Sequence, residues 1–330
     1  MPDILIIVVV LLALGFDYIN GFHDTANAIA TSVSTRALTP RTAIWMAAGL
    51  NFLGAMYSTG VAKTIGGDLV KSAQMVNEYI IIAAMIGAIF WNLGTWWLGI
   101  PSSSSHALVG GVVGAVIVST GFEALKMEGI MKIVASLILS PIAAILTGLI
   151  IMTILFWLFG NMAPSRLNTK FKRLQIFSAA MMSFSHGSND AQKAMGIITL
   201  ALVSSGYLST FEVPTWVKMA AALSMGAGTA AGGWRIIKTM GGKIFKLEPI
   251  SGFAADINSS IIIFSATLLH LPVSTTHVVS GSIMGVGTAK RVNAVRWGVA
   301  QQMLAAWVLT IPCTALVSGI SYKVIQLVFL

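Results

Sequence analysis

The sequence predicts an all-α, polytopic membrane protein made of two inverted-topology repeats with broken or re-entrant helices. Only 9% of its 330 residues are charged and 56% are hydrophobic, whereas a soluble domain carries about 25% charged residues. Several apolar stretches reach the ~20 residues that cross a bilayer as a helix. In addition, polar motifs of the first half return in the same order in the second half.

Ten apolar segments, five in each half, are the expected helices. They are 3–36, 41–60, 77–99, 105–122 and 130–160, followed by 174–206, 215–233, 249–271, 274–290 and 297–329. The first segment of each half is about 33 residues long and interrupted by polar residues. That length exceeds one simple span, so we expect both segments to break there. The predicted organisation is a first repeat over 1–160, a cytoplasmic basic linker over 161–173 and a second repeat over 174–330.

Three pairs of motifs carry the repeat. "NGFHDTANA", which begins at Asn20, resembles "SHGSNDAQKA", which begins at Ser185. "TIGGD" resembles "TMGGK", and "IPSSSSHALVGGVVG" resembles "LPVSTTHVVSGSIMG", at offsets of 166, 175 and 171. Three ordered matches at nearly one offset indicate a duplicated unit.

The loop charges indicate that the two units are inverted. Loops rich in Lys and Arg lie at 36–41, 166–173, 235–246 and 290–296. The counterpart of the first holds no Lys or Arg, and in the counterparts of the third and fourth the basic residues are balanced by acidic ones. Basic loops favour the cytoplasmic side. All four fall inside if the halves have opposite orientations, which gives a multi-pass protein of the cell membrane with both termini outside. The same rule accounts for the net charge of +9, so we expect no nucleic-acid partner.

Ionisable residues inside the apolar segments mark the first candidate site. Asp24, Asp190 and Lys193 lie within the repeated motif, and charges at membrane depth usually serve a function. The alternative is a polar patch that only packs helices, and for His23 this alternative has equal weight. Asp17 is expected to be an interfacial residue.

Two runs of hydroxyl residues mark the second candidate site. Each run follows a proline and precedes an apolar stretch, which predicts a helix start capped by Ser or Thr. The residues are Ser103, Ser104, Ser105, Ser274, Thr275 and Thr276. A helix N-terminus with free N–H groups binds anions, although ordinary capping alone would need one hydroxyl. The glycines behind each run are Gly110, Gly111, Gly114, Gly281 and Gly285, and their spacing predicts close helix packing.

These two sets of residues suit a small tetrahedral oxyanion that arrives with a cation or a proton. Bare carboxylates at Asp24 and Asp190 would repel such an anion. Monohydrogen phosphate can donate its hydroxyl to a carboxylate, whereas sulfate at neutral pH cannot. The residues therefore favour phosphate over sulfate.

The motifs resemble those of the inorganic phosphate transporter (PiT) family, over nearly the whole chain. "GFHDTANA" and "HGSNDAQKA" are similar to its signature repeats, and "PSSSSH" and "PVSTTH" to its second motif pair. The resemblance implies an inverted-repeat symporter that binds inorganic phosphate between the two halves. It places the phosphate contacts at Asp24, Asn27, Ser103, Ser104, Ser105, Asn189, Asp190, Ser274, Thr275 and Thr276.

Two departures from the sodium-coupled members bear on the coupling ion. His23 directly precedes the first signature Asp, and Lys193 stands where the first repeat has Asn27. A hard cation prefers oxygen ligands, which neither side chain supplies. This pattern resembles the bacterial low-affinity branch, which implies proton coupling and uptake of neutral metal-phosphate. The candidates for handling the coupling ion are His23, Asp24, Asp190 and Lys193, histidine being suited by its near-neutral titration.

Several alternatives stay open at this stage. Sodium coupling and a sulfate permease of the same fold are the nearest, and a channel differs only in lacking coupling. An enzyme is not expected, since no orienting acid lies near the Ser104–His106 stretch and the loops are short. No cofactor or resident metal is expected; the co-transported species is a proton, sodium or a divalent metal ion. The partners are phosphate, that cation and the lipid bilayer, with a homo-oligomer left open. For Asp256 and Asn258, cation binding and a place near the headgroups are both open. The hydroxyl runs are expected either on full membrane spans or on hairpins.

Overall fold

The computed structural model describes residues 2–232 and 234–329, which form thirteen α-helices joined by short connections. The first half contains α1 (Pro2–Ser34), α2 (Pro40–Tyr57), α3 (Gly60–Gly67), α4 (Glu78–Leu98), α5 (Ser104–Ser119) and α6 (Met127–Phe159). The second half contains α7 (Pro164–Asp190), α8 (Gln192–Ser204), α9 (Thr215–Ala231), α10 (Trp234–Gly242), α11 (Pro249–Leu268), α12 (Thr275–Lys290) and α13 (Trp297–Phe329). The all-α prediction is thus confirmed.

Each of the ten predicted segments contains a long helix. Two further, short helices, α3 and α10, lie between predicted segments and carry the repeated "TIGGD" and "TMGGK" motifs. The segment 161–173, expected as a loop between the halves, is helical from Pro164 onward because α7 begins there. The boundary between the two repeats stays a prediction.

The expected break in the first segment is absent: α1 runs without interruption from Pro2 to Ser34. Gly21, at the signature, serves close packing instead, since a Cβ there would lie 2.5 Å from the carbonyl oxygen of Met225 on α9. In the second half the interruption is confined to Ala191, whose backbone stays near helical values at φ −63° and ψ −24°. Polar side chains that find partners leave the helical backbone intact.

Local sequence signals set several helix ends. Thr39 and Asn77 cap α2 and α4, each accepting a hydrogen bond from the backbone N–H group three residues on, which satisfies an otherwise unpaired N–H group. Gly99 ends α4 in the left-handed conformation at φ 69°, which glycine adopts without steric cost. The caps thus define the starts of α2 and α4, and Gly99 defines the end of α4.

Corresponding helices of the two halves pack in corresponding pairs. α1 contacts α9 as α7 contacts α2, and α5 contacts α13 as α12 contacts α6. Gly110 and Gly114 face α13, and Gly281 and Gly285 face α6. The glycine rows are therefore packing surfaces, as their spacing predicts.

Two helical hairpins, α4–α5 and α11–α12, carry the hydroxyl runs at their tips. Both ends of the first lie together, since Val70 and Leu125 form an isolated antiparallel bridge. Both ends of the second also lie together, because the N–H of Arg296 donates to the carbonyl of Ile244 at 2.9 Å. The two tips meet inside the bundle, where the Ser105 hydroxyl donates to the carbonyl of Val273 at 2.8 Å.

The outside of the bundle is apolar. Leu146 and Trp157 of α6 and Leu316 and Leu327 of α13 are exposed. By length and composition, α1 (from Ile4), α4, α6, α11 and α13 are long and apolar enough to cross a membrane. Such a surface suits lipid, so the multi-pass membrane prediction is supported.

Candidate functional site

The first signature motif places a buried, hydrogen-bonded His–Asp pair inside α1. The side chains of His23 and Asp24 are 0% and 1% exposed, with His23 Nδ1 2.6 Å from Asp24 Oδ1. The other ring nitrogen of His23 lies 3.4 Å from the hydroxyl of Thr95 on α4. Asn27, one turn further, donates to the hydroxyl of Thr276 at 2.8 Å.

Hydroxyls from both hairpin tips reach this same carboxylate. Ser104 of α5 donates to Asp24 Oδ2 at 2.7 Å, and Thr276 of α12 donates to Asp24 Oδ1 at 3.1 Å. All three side chains are buried. The predicted helix starts are thus found at the signature motif, with one hairpin from each half contributing.

The second signature motif repeats this arrangement around Asp190. Its Oδ2 atom lies 2.8 Å from Lys193 Nζ and accepts hydrogen bonds of 3.3 Å from Thr275 and from Asn20. His186 Nε2 lies 3.6 Å from the same oxygen. Thr275 and Ser104 occupy matching positions in the two repeats, so each carboxylate receives a hydroxyl from its own hairpin.

Lys193 joins the two carboxylates into one cluster. Its ammonium donates to the Ser104 hydroxyl at 2.9 Å, and that hydroxyl in turn donates to Asp24. Asp24 and Asp190 are therefore linked through two intervening side chains. Because all four residues are buried, their charges interact in a poorly screened environment. A single site between the halves results.

Four of the predicted phosphate contacts, which stay predictions, make hydrogen bonds within or between the hairpins. Ser103 and Ser274 are the N-caps of α5 and α12, accepting from the N–H groups of His106 and His277. Ser105 donates to a carbonyl of the opposite hairpin. These hydroxyls hold the helix starts in place beside the carboxylates.

The fourth, Asn189, holds the second tip. Its amide donates to Thr267 and to the Leu271 carbonyl, both at 3.1 Å, and its oxygen accepts from the N–H of Val273 at 3.3 Å. These hydrogen bonds hold the loop before α12, and none of them is to Asp24, Ser104, Lys193 or Asp190.

Two site residues escaped the sequence analysis. Asn20 contacts Asp190. The sequence offered a signal for it, because Asn20 lies in the quoted motif four residues before Asp24 and therefore near the same helix face. Asp17 was expected at an interface, yet its side chain is 0% exposed. Asp17 lies three residues before Asn20, and this spacing also predicts a shared helix face.

Asp256 and Asn258 are both buried inside the bundle. Asp256 accepts from the hydroxyl of Thr31 at 2.5 Å and of Ser178 at 3.3 Å. Asn258 bonds to Thr147 and to groups of α6 and α12. Asp256 lies on α11 and contacts α1 at Thr31, seven residues after Asp24.

The cluster concentrates hydrogen-bond donors on anionic oxygens. Hydroxyls, an amide and an ammonium all point at two carboxylates, and both hairpins add a helix N-terminus. Such donors suit any compact oxyanion. Carboxylate oxygens are also the ligands that hard cations prefer.

Comparison with known proteins gives matches over nearly the whole chain. The model described as "Phosphate transporter family" matches residues 20–318. A protein of Bacillus subtilis (strain 168), described as "Probable low-affinity inorganic phosphate transporter", is 53% identical over 328 residues, covering 99% of this chain and 98% of its own. A protein of Rhizobium meliloti (strain 1021) with the same description is 46% identical, covering 98% and 97%.

A solved structure shares the fold. A protein described as "The sodium-dependent phosphate transporter" superimposes with a TM-score of 0.89 at 26% identity, covering 98% of this chain and 100% of its own. All these relatives are described as transporters, in agreement with the prediction that the chain is not an enzyme. From its motifs, its helical fold and these matches, the chain belongs to the phosphate transporter family.

Proposed function

We propose that this protein is a symporter that takes up inorganic phosphate at the cluster of Asp24, Ser104, Lys193 and Asp190. The observation that carries the proposal is the convergence of Ser104 and Thr276, one from each hairpin, on Asp24. A site built equally from both halves is what alternating access around a fixed centre requires.

Phosphate would enter by replacing the carboxylates as hydrogen-bond acceptor. Ser104, Thr276, Thr275 and Lys193 already donate to carboxylate oxygens. Charge-assisted hydrogen bonds of this kind are about twice as strong as neutral ones. The same donors can turn to a phosphate oxygen once the carboxylate charge is offset.

A proton is the coupling ion that this exchange favours. His23 and Asp24 form the shortest hydrogen bond in the cluster, at 2.6 Å. A proton delivered to this pair weakens the acceptor strength of Asp24, which frees the two hairpin hydroxyls for phosphate. Loading of proton and substrate would then be coupled through the same oxygen atoms.

Sodium coupling is the second candidate, because the solved relative is described as sodium-dependent. Uptake of a neutral metal-phosphate complex is an extension of the proton proposal, since such a complex reduces the negative charge that must enter. Both variants use the same phosphate donors. They differ only in the cation that accompanies the substrate.

We further propose that the two halves are inverted and that both hairpins are re-entrant. α5 and α12 have 16 residues each, or ~24 Å at 1.5 Å per residue, which is short of the ~30 Å hydrocarbon core. Opposite loop charges indicate entry from opposite sides. Hairpins that enter from opposite sides can touch at their tips only if each stops midway.

Transport by purified protein in lipid vesicles tests the function. We expect labelled phosphate to accumulate above equilibrium when an inward proton gradient is imposed, with no sodium present. Accumulation under a sodium gradient alone would favour the second candidate, and stimulation by Mg²⁺ would support the metal-phosphate form. Downhill flux without accumulation under any gradient would contradict symport, and full inhibition by excess sulfate would contradict phosphate selectivity.

A further inference from the structure

The repeated "TIGGD" and "TMGGK" motifs lie on the short helices α3 and α10, outside the phosphate cluster. Each motif nevertheless places one buried threonine against the tip of a hairpin. The hydroxyl of Thr64 donates to the carbonyl of His270 at 2.7 Å, and that of Thr239 donates to the carbonyl of Gly99 at 3.2 Å. The donors are 175 residues apart and the acceptors 171, so the two hydrogen bonds are equivalent in the two repeats.

The two acceptor carbonyls belong to the same backbone turn at both tips. Gly99 and His270 are left-handed, with φ 69° and 58°. The N–H of the residue that follows each of them donates to a carbonyl of the preceding helix, at 2.9 and 2.8 Å, which closes the last turn of α4 and of α11. A residue other than glycine keeps this conformation only where its surroundings support it. Thr64 supplies such support at His270.

These carbonyls lie shortly before the hydroxyls that point at the carboxylates. Gly99 is five residues before Ser104, and His270 is five residues before Thr275. Ser104 and Thr275 donate to Asp24 and Asp190 respectively. A hydrogen bond that fixes the start of so short a loop also limits where the donor at its end can lie.

Each short helix also packs against the signature helix of the other repeat. The N–H of Ala62 on α3 donates to Gln192 Oε1 at 3.1 Å, two residues after Asp190. On α10, a Cβ at Gly241 would lie 2.7 Å from the carbonyl oxygen of Ala30 on α1. Thus α3 connects α8 to the tip of α11–α12, and α10 connects α1 to the tip of α4–α5.

The short helix α3 extends from the tip of the second hairpin to the entrance of the first. Gly60, its first residue, lies under the ring of His270, which a Cβ there would overlap. Asp68, which follows α3, pairs with Lys126 at the entrance of α4–α5. Its eight residues span only ~12 Å, whereas the 21 residues of α4 span ~32 Å. This supports antiparallel hairpins, with α3 and α10 at opposite ends of the site.

We propose that Thr64 and Thr239 are positioning residues whose hydrogen bonds to the hairpin tips latch the phosphate site from its two sides. Thr64 latches the second tip on the side predicted outside, and Thr239 latches the first tip on the side predicted inside. Both latches are closed in the structure, as suits a site whose carboxylates are buried. Alternating access requires one latch to open while the other stays closed. The inference rests on the proposed function and its inverted arrangement.

The accessibility of buried cysteines tests the latches without requiring transport. In a Cys313→Ala background, Val61→Cys on α3 and Ile236→Cys on α10 place reporters at equivalent, buried positions of the short helices. A membrane-impermeant maleimide reads the first reporter from outside in intact cells. It reads the second from inside in inside-out membrane vesicles. Both measurements are made without phosphate.

The two valine variants should shift the labelling in opposite directions. Thr64→Val removes one hydroxyl, so outside labelling of Val61→Cys should rise by about fivefold and inside labelling of Ile236→Cys should fall. Thr239→Val should do the reverse, because a protein that opens more to one side is less often open to the other. A fivefold shift corresponds to about 1 kcal/mol, the contribution of one hydrogen bond.

Serine variants and a lipid-facing threonine are the controls. Thr64→Ser and Thr239→Ser keep the hydroxyl and should label as the wild type does. Thr153→Val, which removes an exposed hydroxyl bonded within α6, should change neither reporter. If Thr64→Val does not fold, Thr239→Val alone should still raise inside labelling and lower outside labelling.

Three results would overturn the inference. They are valine variants that leave both reporters unchanged, variants that move both reporters in the same direction or toward the wrong side, and serine variants that label as the valine variants do. A change of both reporters in one direction would mean that the threonines only stabilise the fold. Phosphate uptake in vesicles is measured separately, so failed latches leave the proposed function standing. Opposite shifts in a protein that accumulates no phosphate under any gradient would contradict symport alone.

Discussion

Lys193 is the residue that distinguishes the two halves of the site. It stands where the first repeat has Asn27, is 0% exposed, and contacts both Asp190 and Ser104. Its amine places a basic group in the second half for which Asn27 offers no equivalent in the first half. The two otherwise similar motifs thus have different electrostatic roles.

Replacing Lys193 by Met should destabilise the protein strongly. Removing one partner of a buried ion pair leaves an uncompensated charge and costs about 3–5 kcal/mol. The exposed pair of Lys290 and Glu248 provides the control, since Lys290→Met should cost no more than about 1 kcal/mol. Thermal unfolding in detergent measures both.

The double variant Lys193→Met with Asp190→Asn separates charge from packing. It removes both charges of the pair, so it should recover most of the lost stability, as buried pairs replaced together often do, yet phosphate transport should stay absent. A double variant as unstable as Lys193→Met alone would show that the lysine contributes through its packing and not through its charge.

Ser104→Ala should weaken phosphate binding. Its hydroxyl bonds to two charged groups, and hydrogen bonds to charged groups contribute about 1.5–3 kcal/mol each, so the dissociation constant should rise by about tenfold or more. Ser119→Ala, at the far end of α5, loses only bonds to a helix carbonyl and to the neighbouring Thr120 hydroxyl and should bind normally. Equal affinities for the two variants, measured with labelled phosphate, would remove Ser104 from the phosphate site.

Helix starts could be predicted from the sequence because their chemistry is local. The hydroxyl runs identified the starts of α5 and α12, where Ser103 and Ser274 each accept from the backbone N–H group three residues on. The short α3 and α10 were missed, since helices of 8 and 9 residues lack an apolar span. Continuity of α1 depends on partners such as Ser104 and Asp190, which lie far along the chain and leave no local signal.

At the level of whole helices, the signature glycine is expected to hold α1 against α9. Gly21→Ala would place a Cβ 2.5 Å from the Met225 carbonyl oxygen and 2.9 Å from the Gly228 backbone, and backbone atoms cannot yield as a flexible side chain does. Overpacking of this kind costs about 1–3 kcal/mol. Gly15→Ala on the same helix meets nothing within 4 Å, so it should be neutral or slightly stabilising. Equal unfolding temperatures for the two variants would contradict the packing role.

For the molecule as a whole, the position of the site depends on the direction from which each hairpin enters. The entrance of α4–α5 lies beside Val70, and that of α11–α12 beside Ile244. If the halves are inverted, these entrances face opposite sides and the tips meet near the middle of the membrane. If both enter from one side, the tips lie near one surface, where the buried cluster would gain little from exclusion of water.

Labelling of single cysteines decides between these two arrangements. In a background with Cys313→Ala, Gln74→Cys and Lys246→Cys place exposed thiols near the two entrances. A membrane-impermeant maleimide should label Gln74→Cys in intact cells, because its loop is predicted outside. It should label Lys246→Cys only after the membrane is permeabilised, because the basic loop around it is predicted inside. Labelling of both from the same side would mean that the two hairpins enter in parallel, and it would contradict the central depth that the phosphate proposal assigns to Asp24.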